Sequence, residues 1–312
     1  MKKRFTILTL IFLASVLTAQ ENTLKKDELK SKIQSEIAKI DGKIALAFRD
    51  LSNPQNEILI NEQENFHAAS TMKTPVMIEV YRQSALGKFN LNDSVVVKNE
   101  FKSIVDGSPY SLSIDSDGGE ALYKYIGSKK TIYSLVYEMI TVSSNLATNL
   151  LIDLVDAKNV QKTMLELGAQ KIKVLRGVED QKAYEKGLNN TTTAYDLMLI
   201  FSKIANDEVV STDACKEMIK ILLDQKFNRM IPALLPKEVK VAHKTGSITG
   251  VKHDSGIVFL PDGRKYVLVI LSKELKDDTP AEVTLSGISK LIYNYMINNK
   301  VPVKKEQSVK TE

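Results

Sequence analysis

The stretch Ser70-Thr71-Met72-Lys73 places a hydroxyl and an amine three residues apart at the start of a helical pattern. Apolar residues continue at helical spacing to about Tyr81, which predicts a helix beginning at Ser70. The two side chains then lie one turn apart on the same face. A serine hydroxyl needs a nearby base to become a nucleophile, and a lysine amine can be that base. The unpaired N–H groups at a helix start also favour developing negative charge.

The same residues also fit an ordinary helix start. In that interpretation Ser70 or Thr71 is the N-cap and Lys73 is a solvated first-turn residue. His67, three residues earlier, invites a role as a catalytic base, but its position before a helix favours a structural or exposed role. Only partners elsewhere in the chain can distinguish a nucleophile from a cap.

One such partner is Ser143-Ser144-Asn145, which lies between two predicted helices. The Ser143 hydroxyl can relay a proton to a leaving group, and the Asn145 amide can hold a substrate amide. The alternative is again a helix N-cap, because Ser and Asn are favoured there.

A second partner is Lys244-Thr245-Gly246-Ser247, in a segment predicted to be a strand. Alternation along the strand puts Lys244 and Gly246 on one face, and glycine lets another backbone come close. A cation beside two hydroxyl groups would suit a substrate carboxylate. K-T-G alone is a weak signal, because these residues are common.

Together and in this order, S-x-x-K, S-x-N and K-T-G resemble the motif set of class A β-lactamases and penicillin-binding proteins. The resemblance extends from about Gln34 to Tyr295. It implies that Ser70 attacks the strained amide of a β-lactam with help from Lys73, and that Ser143 passes a proton to the departing nitrogen. The implied substrate-binding residues are Asn145, Lys244, Thr245, Gly246 and Ser247.

The resemblance further implies that the backbone N–H groups of Ser70 and Ser247 hold the oxyanion. Lys244, Thr245 and Ser247 would bind the substrate carboxylate. No metal ion and no cofactor is expected. The implied substrates are a small-molecule β-lactam or a cell-wall peptide.

An acyl-serine persists unless a base activates water, and class A enzymes use a glutamate on a loop after the S-x-N helices. Glu179 follows Ser143 at a spacing similar to the family's. The family's asparagine four residues after this glutamate is replaced here by Ala183. Glu185, which has Asn189 at that offset, is the competing candidate, and the spacing favours Glu179.

A second departure is Ser144, which stands where class A enzymes have aspartate. This residue is mainly structural in the family, so the change weakens the subclass assignment more than the chemistry. We therefore keep two alternatives to a β-lactamase. One is a D-alanyl-D-alanine peptidase or penicillin-binding relative that hardly deacylates, and the other is a non-catalytic binder of cell-wall peptide.

The order of the predicted elements indicates an α+β fold of β-lactamase/transpeptidase type. An N-terminal helix, with Gly42 as its C-cap, and a hairpin come first, a mainly helical middle follows, and three strands and a last helix complete the chain. We expect the two ends to meet in one antiparallel sheet flanked by the terminal helices. The helical middle is then an inserted subdomain, and the polar, turn-rich segment from Asp106 to Gly119 is predicted to form surface loops.

The corresponding domain boundaries follow from this order. Residues 21–80 and 230–298 are predicted to form a discontinuous α/β subdomain, residues 81–229 a helical subdomain, and residues 299–312 a disordered tail. A cleft between the two subdomains is expected to contain Ser70.

Residues 1–20 have the composition of a secretory signal, with a basic start, an apolar run and small residues near a plausible cleavage site. The apolar run is too short for a bilayer, which takes about 20 residues. We expect an exported protein, periplasmic or secreted, without a stable membrane anchor. The formal charge of +5 includes three basic residues of this segment and gives no basis for a nucleic-acid partner.

Cys215 is the single cysteine, so no disulfide can form within the chain. It is predicted to be a small buried residue on a helix. No cysteine lies near the predicted cleavage site, so no lipid attachment is predicted there. Separately, we expect the protein to be a monomer.

Overall fold

The computed structural model describes residues 25–299. The predicted signal segment and the predicted tail from residue 300 onward lie outside the described residues. In the part of the chain that is described, no helix is long and apolar enough to cross a membrane.

Within residues 25–299 the strands form one large sheet and three short pairs. In chain order they are β1 (Lys43–Asp50), β2 (Glu57–Ile60), β3 (Phe66–His67), β4 (Ser94–Val96), β5 (Phe101–Lys102), β6 (Pro109–Tyr110), β7 (Lys129–Thr131), β8 (Thr191–Thr192), β9 (Lys240–Ile248), β10 (Val251–Phe259) and β11 (Lys265–Lys273).

Helices occupy most of the middle of the chain and both of its ends. They are α1 (Lys26–Ile37), α2 (Lys73–Ala85), α3 (Ile132–Thr141), α4 (Asn145–Val155), α5 (Ala157–Glu166), α6 (Gln181–Glu185), α7 (Ala194–Ala205), α8 (Thr212–Leu223) and α9 (Asp278–Asn298). Three short 3₁₀ turns cover Ala69–Met72, Ile114–Ser116 and Glu120–Tyr125.

The large sheet joins the two ends of the chain, as predicted. Its order is β2-β1-β11-β10-β9, and all neighbouring strands are antiparallel. Strand β1 pairs with β11 from Lys43 opposite Lys273 to Asp50 opposite Tyr266. This long-range pairing brings K-T-G on β9 into the same sheet as the N-terminal strands.

Both faces of the sheet are covered, which explains why the paired strands β1 and β11 at its centre are mostly apolar along their length. Leu46 and Ile270 point towards the terminal helices α1 and α9, where they pack with Leu29 and Leu285. Alternate residues such as Val269 point to the other face, in the core that the helical layer shares. The α+β class with flanking terminal helices is confirmed.

A single core cluster runs from the second face of the sheet into the helical layer, from Val269 through Phe201 of α7 to Val76 of α2. The division into 21–80 with 230–298 and 81–229 as separate subdomains stays a prediction.

One local prediction is wrong, and a second is incomplete. Gly42 is not the C-cap of α1, because that helix ends at Ile37 with Ala38 as its cap. Gly42 instead packs against Leu275, whose Cδ2 atom would lie 2.8 Å from an added Cβ. The segment predicted to form surface loops is also partly structured, since it contributes β6, and its last part contains the buried residue Asp117.

Candidate active site

Ser70 lies in the 3₁₀ turn that leads directly into α2. The residue before it, Ala69, has a φ of 45°, a left-handed conformation that is strained for a residue with a Cβ. The Ala69 N–H donates to Nδ1 of His67 at 3.0 Å, which gives that histidine a structural contact. Within residues 25–299 the half-buried Ser70 hydroxyl has no hydrogen-bond partner, so it is free to meet a substrate.

Lys73 is fully buried and occupies the first turn of α2. Its Nζ donates to the carbonyl O of Ser143 at 2.6 Å, to Oδ1 of Asn145 at 2.9 Å and to Oγ of Ser143 at 3.1 Å. Burial lowers the pKa of Lys73 from 10.5 to about 7, although the carboxylates of Asp117 and Glu179 raise it. A neutral amine is therefore available near neutral pH.

The Ser143 hydroxyl lies between two lysines. Nζ of Lys244 donates to it at 3.0 Å and to the carbonyl O of Thr245 at 2.8 Å. Burial, and next the charge of Lys73, lower the pKa of Lys244 well below its ordinary value. Ser143 has a φ of 60°, so its backbone is held in a strained conformation at this junction. The hydroxyl is placed to pass a proton from one amine towards the cleft.

Gly246 brings strand β9 against the Ser70 turn. A Cβ on this residue would lie 3.2 Å from the backbone N of Ser70. Ser247, the next residue, accepts a hydrogen bond from Nζ of Lys252 at 2.9 Å. Lys252 also forms ion pairs with two acidic residues of α9, Asp278 at 3.3 Å and Glu282 at 3.5 Å.

The loop between α5 and α6 carries Glu179 into the same cleft. Its Oε1 accepts from Nδ2 of Asn145 at 2.7 Å and from Oγ of Ser116 at 3.2 Å. The competing Glu185 is exposed at the end of α6, where it accepts from Nε2 of Gln181 at 3.0 Å. Its predicted companion Asn189 accepts from Arg176 instead. The structure therefore brings Glu179, and not Glu185, to Ser70.

Two open cavities of about 580 and 600 Å³ meet at Ser70, Ser116, Asn145 and Ser247. The first is bounded by the Glu179 loop. The second is bounded by Ser143, Thr245 and three cationic side chains: Lys226, Arg229 and Lys252. In the described residues, no group of three or more His, Cys, Asp or Glu side chains is arranged to hold a metal ion.

A family model described as the beta-lactamase enzyme family matches residues 28–296. The chain belongs to the β-lactamase enzyme family. The match spans most of the chain and includes every residue of the cleft described above. It confirms the resemblance on which the sequence interpretation relied.

Three known proteins illustrate the similarity. The β-lactamase VEB-1 of Pseudomonas aeruginosa is 22% identical over 301 residues, which cover 93% of this chain and 97% of that protein. The crystal structure of a β-lactamase from Sphaerobacter thermophilus is 25% identical with a TM-score of 0.75, covering 89% of this chain and 100% of that one. The structure of PBP-A is 24% identical with a TM-score of 0.73, covering 86% of this chain and 96% of that one.

Family membership and these relatives support β-lactam hydrolysis at the level of the family. This β-lactamase family member nevertheless departs from class A enzymes at the two positions noted in the sequence. Ala183 is fully buried on α6, so it offers the cleft no polar group. Ser144 is fully buried as well and caps α4 by accepting from the Ala147 N–H at 3.2 Å.

Several residues of this family member that shape the cleft escaped sequence analysis. Asn149 of α4 holds the Glu179 loop through both groups of its amide: Oδ1 accepts from the Val178 N–H at 2.7 Å and Nδ2 donates to the Val178 carbonyl at 3.0 Å. Asn190 accepts from the Leu175 N–H at 2.8 Å and donates to the Arg176 carbonyl at 2.9 Å. Neither asparagine stands in a motif, so no local signal marks it.

Asp180 is a third supporting residue of the family member's loop. It caps α6 and accepts from the Ser103 hydroxyl and the Ile104 N–H, both at 2.9 Å. Asp117 and Lys252 were missed as well. The partners that give these two residues their roles are distant in sequence, Asn145 for Asp117 and Glu282 for Lys252.

Proposed function

We propose that the protein is an exported serine β-lactamase of class A type, which opens the β-lactam amide through an acyl-enzyme on Ser70. The observation that carries this proposal is the buried Lys73, whose pKa is about 7 and whose amine contacts Ser143 and Asn145 beside the unpartnered Ser70 hydroxyl. A peptide-binding module needs neither a nucleophile nor a buried base.

In the acylation step, Oγ of Ser70 attacks the β-lactam carbonyl carbon and its proton passes to neutral Lys73. The backbone N–H groups of Ser70 and Ser247 stabilise the negative charge on the carbonyl oxygen. When the carbon–nitrogen bond breaks, the nitrogen takes a proton from the Ser143 hydroxyl. Ser143 recovers a proton from Lys73, whose Nζ is 3.1 Å away. The products of this step are an ester on Ser70 and a neutral amine.

In the deacylation step, Glu179 removes a proton from a water molecule, and the resulting hydroxide attacks the ester carbonyl. The bond to Oγ of Ser70 breaks, and the proton that Glu179 took from water passes to this oxygen, which restores the serine and the carboxylate. The Asn145 amide fixes the base, because its Nδ2 donates to Glu179 at 2.7 Å.

The cationic half of the cleft suits the carboxylate that β-lactams carry beside their ring nitrogen. Thr245 and Ser247 present hydroxyl groups there, and the buried Lys244 supports them from behind. Lys252 donates to Ser247, and its ion pairs with Asp278 and Glu282 hold it at this side of the cleft. We therefore propose that the substrate carboxylate lies in this half and the acyl side chain lies in the half bounded by the Glu179 loop.

One specific observation favours a second candidate function. Because Ala183 is buried and apolar, the side chain four residues after Glu179 cannot help to hold the hydrolytic water. A D-alanyl-D-alanine peptidase or penicillin-binding relative would acylate as above and deacylate slowly, and a non-catalytic cell-wall peptide binder would not acylate at all.

Intact mass spectrometry distinguishes these functions. The mature protein is mixed with a cephalosporin and quenched at intervals, alongside Glu179→Gln and the matched control Glu185→Gln. We expect wild type and Glu185→Gln to turn the drug over, and Glu179→Gln to accumulate an adduct on Ser70. A wild type that stays acylated indicates the penicillin-binding alternative, and no adduct in any variant contradicts the catalytic proposal.

Export is part of the proposal because residues 1–20 have the composition of a secretory signal. Expression of the full chain in a Gram-negative host followed by N-terminal sequencing of the periplasmic fraction tests it. A mature chain beginning near residue 21 is expected, and an uncleaved cytoplasmic product would contradict export. Size-exclusion chromatography of the same sample tests the predicted monomer.

A further inference from the structure

Asp117 is a buried carboxylate outside the three motifs, with 5% of its surface exposed. It lies between two 3₁₀ turns, in the segment 113–119. Its Oδ1 accepts from the N–H groups of Gly119 and Asn145, both at 2.8 Å. Its Oδ2 accepts from the Leu146 N–H at 2.8 Å, from the Tyr123 hydroxyl at 3.0 Å and from the Ser144 hydroxyl at 3.5 Å. Five hydrogen bonds therefore fix the position of this carboxylate.

Three of these donors belong to the S-x-N motif and the start of α4. Asn145 and Leu146 are the first two residues of the helix, whose N–H groups have no partner within it. A carboxylate at this end also interacts favourably with the helix dipole. The S-x-N motif has Ser144 in its middle and therefore no carboxylate of its own. The carboxylate that contacts this motif belongs to Asp117, in a separate part of the chain.

The backbone after Asp117 is shaped to allow this approach. A Cβ on Gly118 would lie 2.2 Å from the carbonyl O of Val142, and a Cβ on Gly119 would lie 2.4 Å from Cβ of Ser144. Neither distance is tolerated between real atoms, so both positions require glycine. The sequence Asp117-Gly118-Gly119 therefore fits closely against the S-x-N segment.

Asn145, which Asp117 holds by its backbone, joins the two bases of the proposed mechanism. Its Oδ1 accepts from Lys73 and its Nδ2 donates to Glu179. We propose that Asp117 is a positioning residue of the active site, whose carboxylate replaces the missing aspartate of the S-x-N motif and holds Ser143 and Asn145 in register with Lys73 and Glu179. This inference rests on the proposed function, because the rates that test it are those of Ser70 acylation.

Asp117 also acts on Lys73 through its charge. Burial lowers the pKa of Lys73, and Asp117 is the first of the two carboxylates that raise it. Removal of this charge therefore lowers the pKa of Lys73 further. The acidic limb of the acylation profile then moves to lower pH, which a purely structural role would not produce.

The test compares four variants with wild type: Asp117→Asn, Ser144→Asp, their double variant, and the control Asp115→Asn, an exposed aspartate of the same segment. The acylation rate with a penicillin is measured by quenched intact mass spectrometry across pH, and folding is checked by circular dichroism. We expect Asp117→Asn to acylate on the order of 10-fold or more slowly, with its acidic limb at lower pH. Asp115→Asn should match wild type.

The double variant carries the decisive result. Ser144→Asp alone should slow acylation, because it places a second carboxylate beside that of Asp117 and the two repel each other. In the wild type, Oδ2 of Asp117 lies 3.5 Å from the Ser144 hydroxyl. With Asp117→Asn the new carboxylate stands alone, so the double variant should acylate faster than either single variant. A double variant as slow as the slower single variant overturns the inference, even if Asp117→Asn itself folds poorly.

The remaining outcomes separate the inference from the proposed function. Suppose that wild type acylates and that Asp117→Asn acylates at the same rate with an unshifted pH profile. This result overturns the inference and leaves the proposed function standing. A wild type that forms no adduct overturns the proposed function and the inference with it.

Discussion

Nζ of Lys73 lies 2.6 Å from the carbonyl O of Ser143 and 3.1 Å from its hydroxyl Oγ. The carbonyl can only accept, so it takes one N–H of the amine in either charge state. The hydroxyl can either accept from the amine or donate to it. Lys73 can therefore take a proton from this side when it is neutral and return one when it is protonated, which is the property that a relay to the leaving nitrogen requires.

The first prediction concerns the pH dependence of acylation. Burial lowers the pKa of Lys73 to about 7, and only the neutral amine can accept the Ser70 proton. The acylation rate should therefore be full above about pH 8 and fall as the pH drops through 7, roughly tenfold for each further unit. Acylation of wild type, quenched within the first turnover, isolates this limb, because Glu179→Gln would remove a carboxylate that raises the pKa of Lys73. A rate that is flat from about pH 8 to 5 would contradict a role for Lys73 as base.

The second prediction separates two neighbouring serines. Ser143→Ala removes the hydroxyl between Lys73 and Lys244, so acylation should slow by about 10² to 10⁴-fold with little change in melting temperature. Ser144→Ala removes the cap of α4, so it should lower the free energy of unfolding by about 1 kcal/mol. Acylation kinetics and thermal unfolding of both variants test this. Equal effects on rate would argue against a proton relay through Ser143.

The third prediction concerns the support of the Glu179 loop. Asn149→Ala removes both hydrogen bonds to Val178, the residue before Glu179, and leaves the Val178 N–H without its partner, while the carbonyl keeps only the Tyr110 hydroxyl at 3.3 Å. Deacylation should slow by about tenfold or more while acylation changes little, because Lys73 and Ser143 lie outside this loop. Accumulation of the acyl adduct in the steady state is the readout.

The control for the loop prediction is Asn159→Ala, which removes a single side-chain hydrogen bond, to the Val155 carbonyl, away from the cleft. It should leave both steps unchanged. If Asn149→Ala slows acylation and deacylation equally, the asparagine supports the whole cleft and not the loop in particular.

The fourth prediction uses Cys215, which has no exposed surface and lies on α8. A thiol that solvent cannot reach should not react with a disulfide reagent such as DTNB in the folded protein. One equivalent should react after unfolding in urea. Rapid reaction under native conditions would show that α8 opens readily from the core.

Most of the fold could be predicted from periodicity. The amphipathic pattern of α8 and the apolar run of β11 follow from a local rule, because the face on which a side chain lies depends only on its position in the helical or strand repeat. The pairing of β1 with β11 followed from the order of the elements. The end of α1 was misjudged because Gly42 serves a tertiary contact with Leu275 and not a helix cap.

The residues of the candidate site also divide into those that the sequence predicted and those that it did not. Ser70, Lys73, Ser143, Asn145 and the K-T-G residues were predicted because each stands in a short motif with its own chemical logic. The structure brings all of them, with Glu179, to one cleft. The support of that cleft by Asn149 and Asp180 could not be predicted, because each acts through a partner that is remote in sequence.

The sequence by itself determined which groups this protein can use for chemistry and which face of each helix and strand is buried, because both depend on residue type and short-range spacing. Only the tertiary structure decided between Glu179 and Glu185, and only it revealed Asp117. The physical reason is that a loop carboxylate takes its role from the donors that surround it. For Glu179 and Asp117 one of those donors is Asn145, which lies 34 and 28 residues away along the chain.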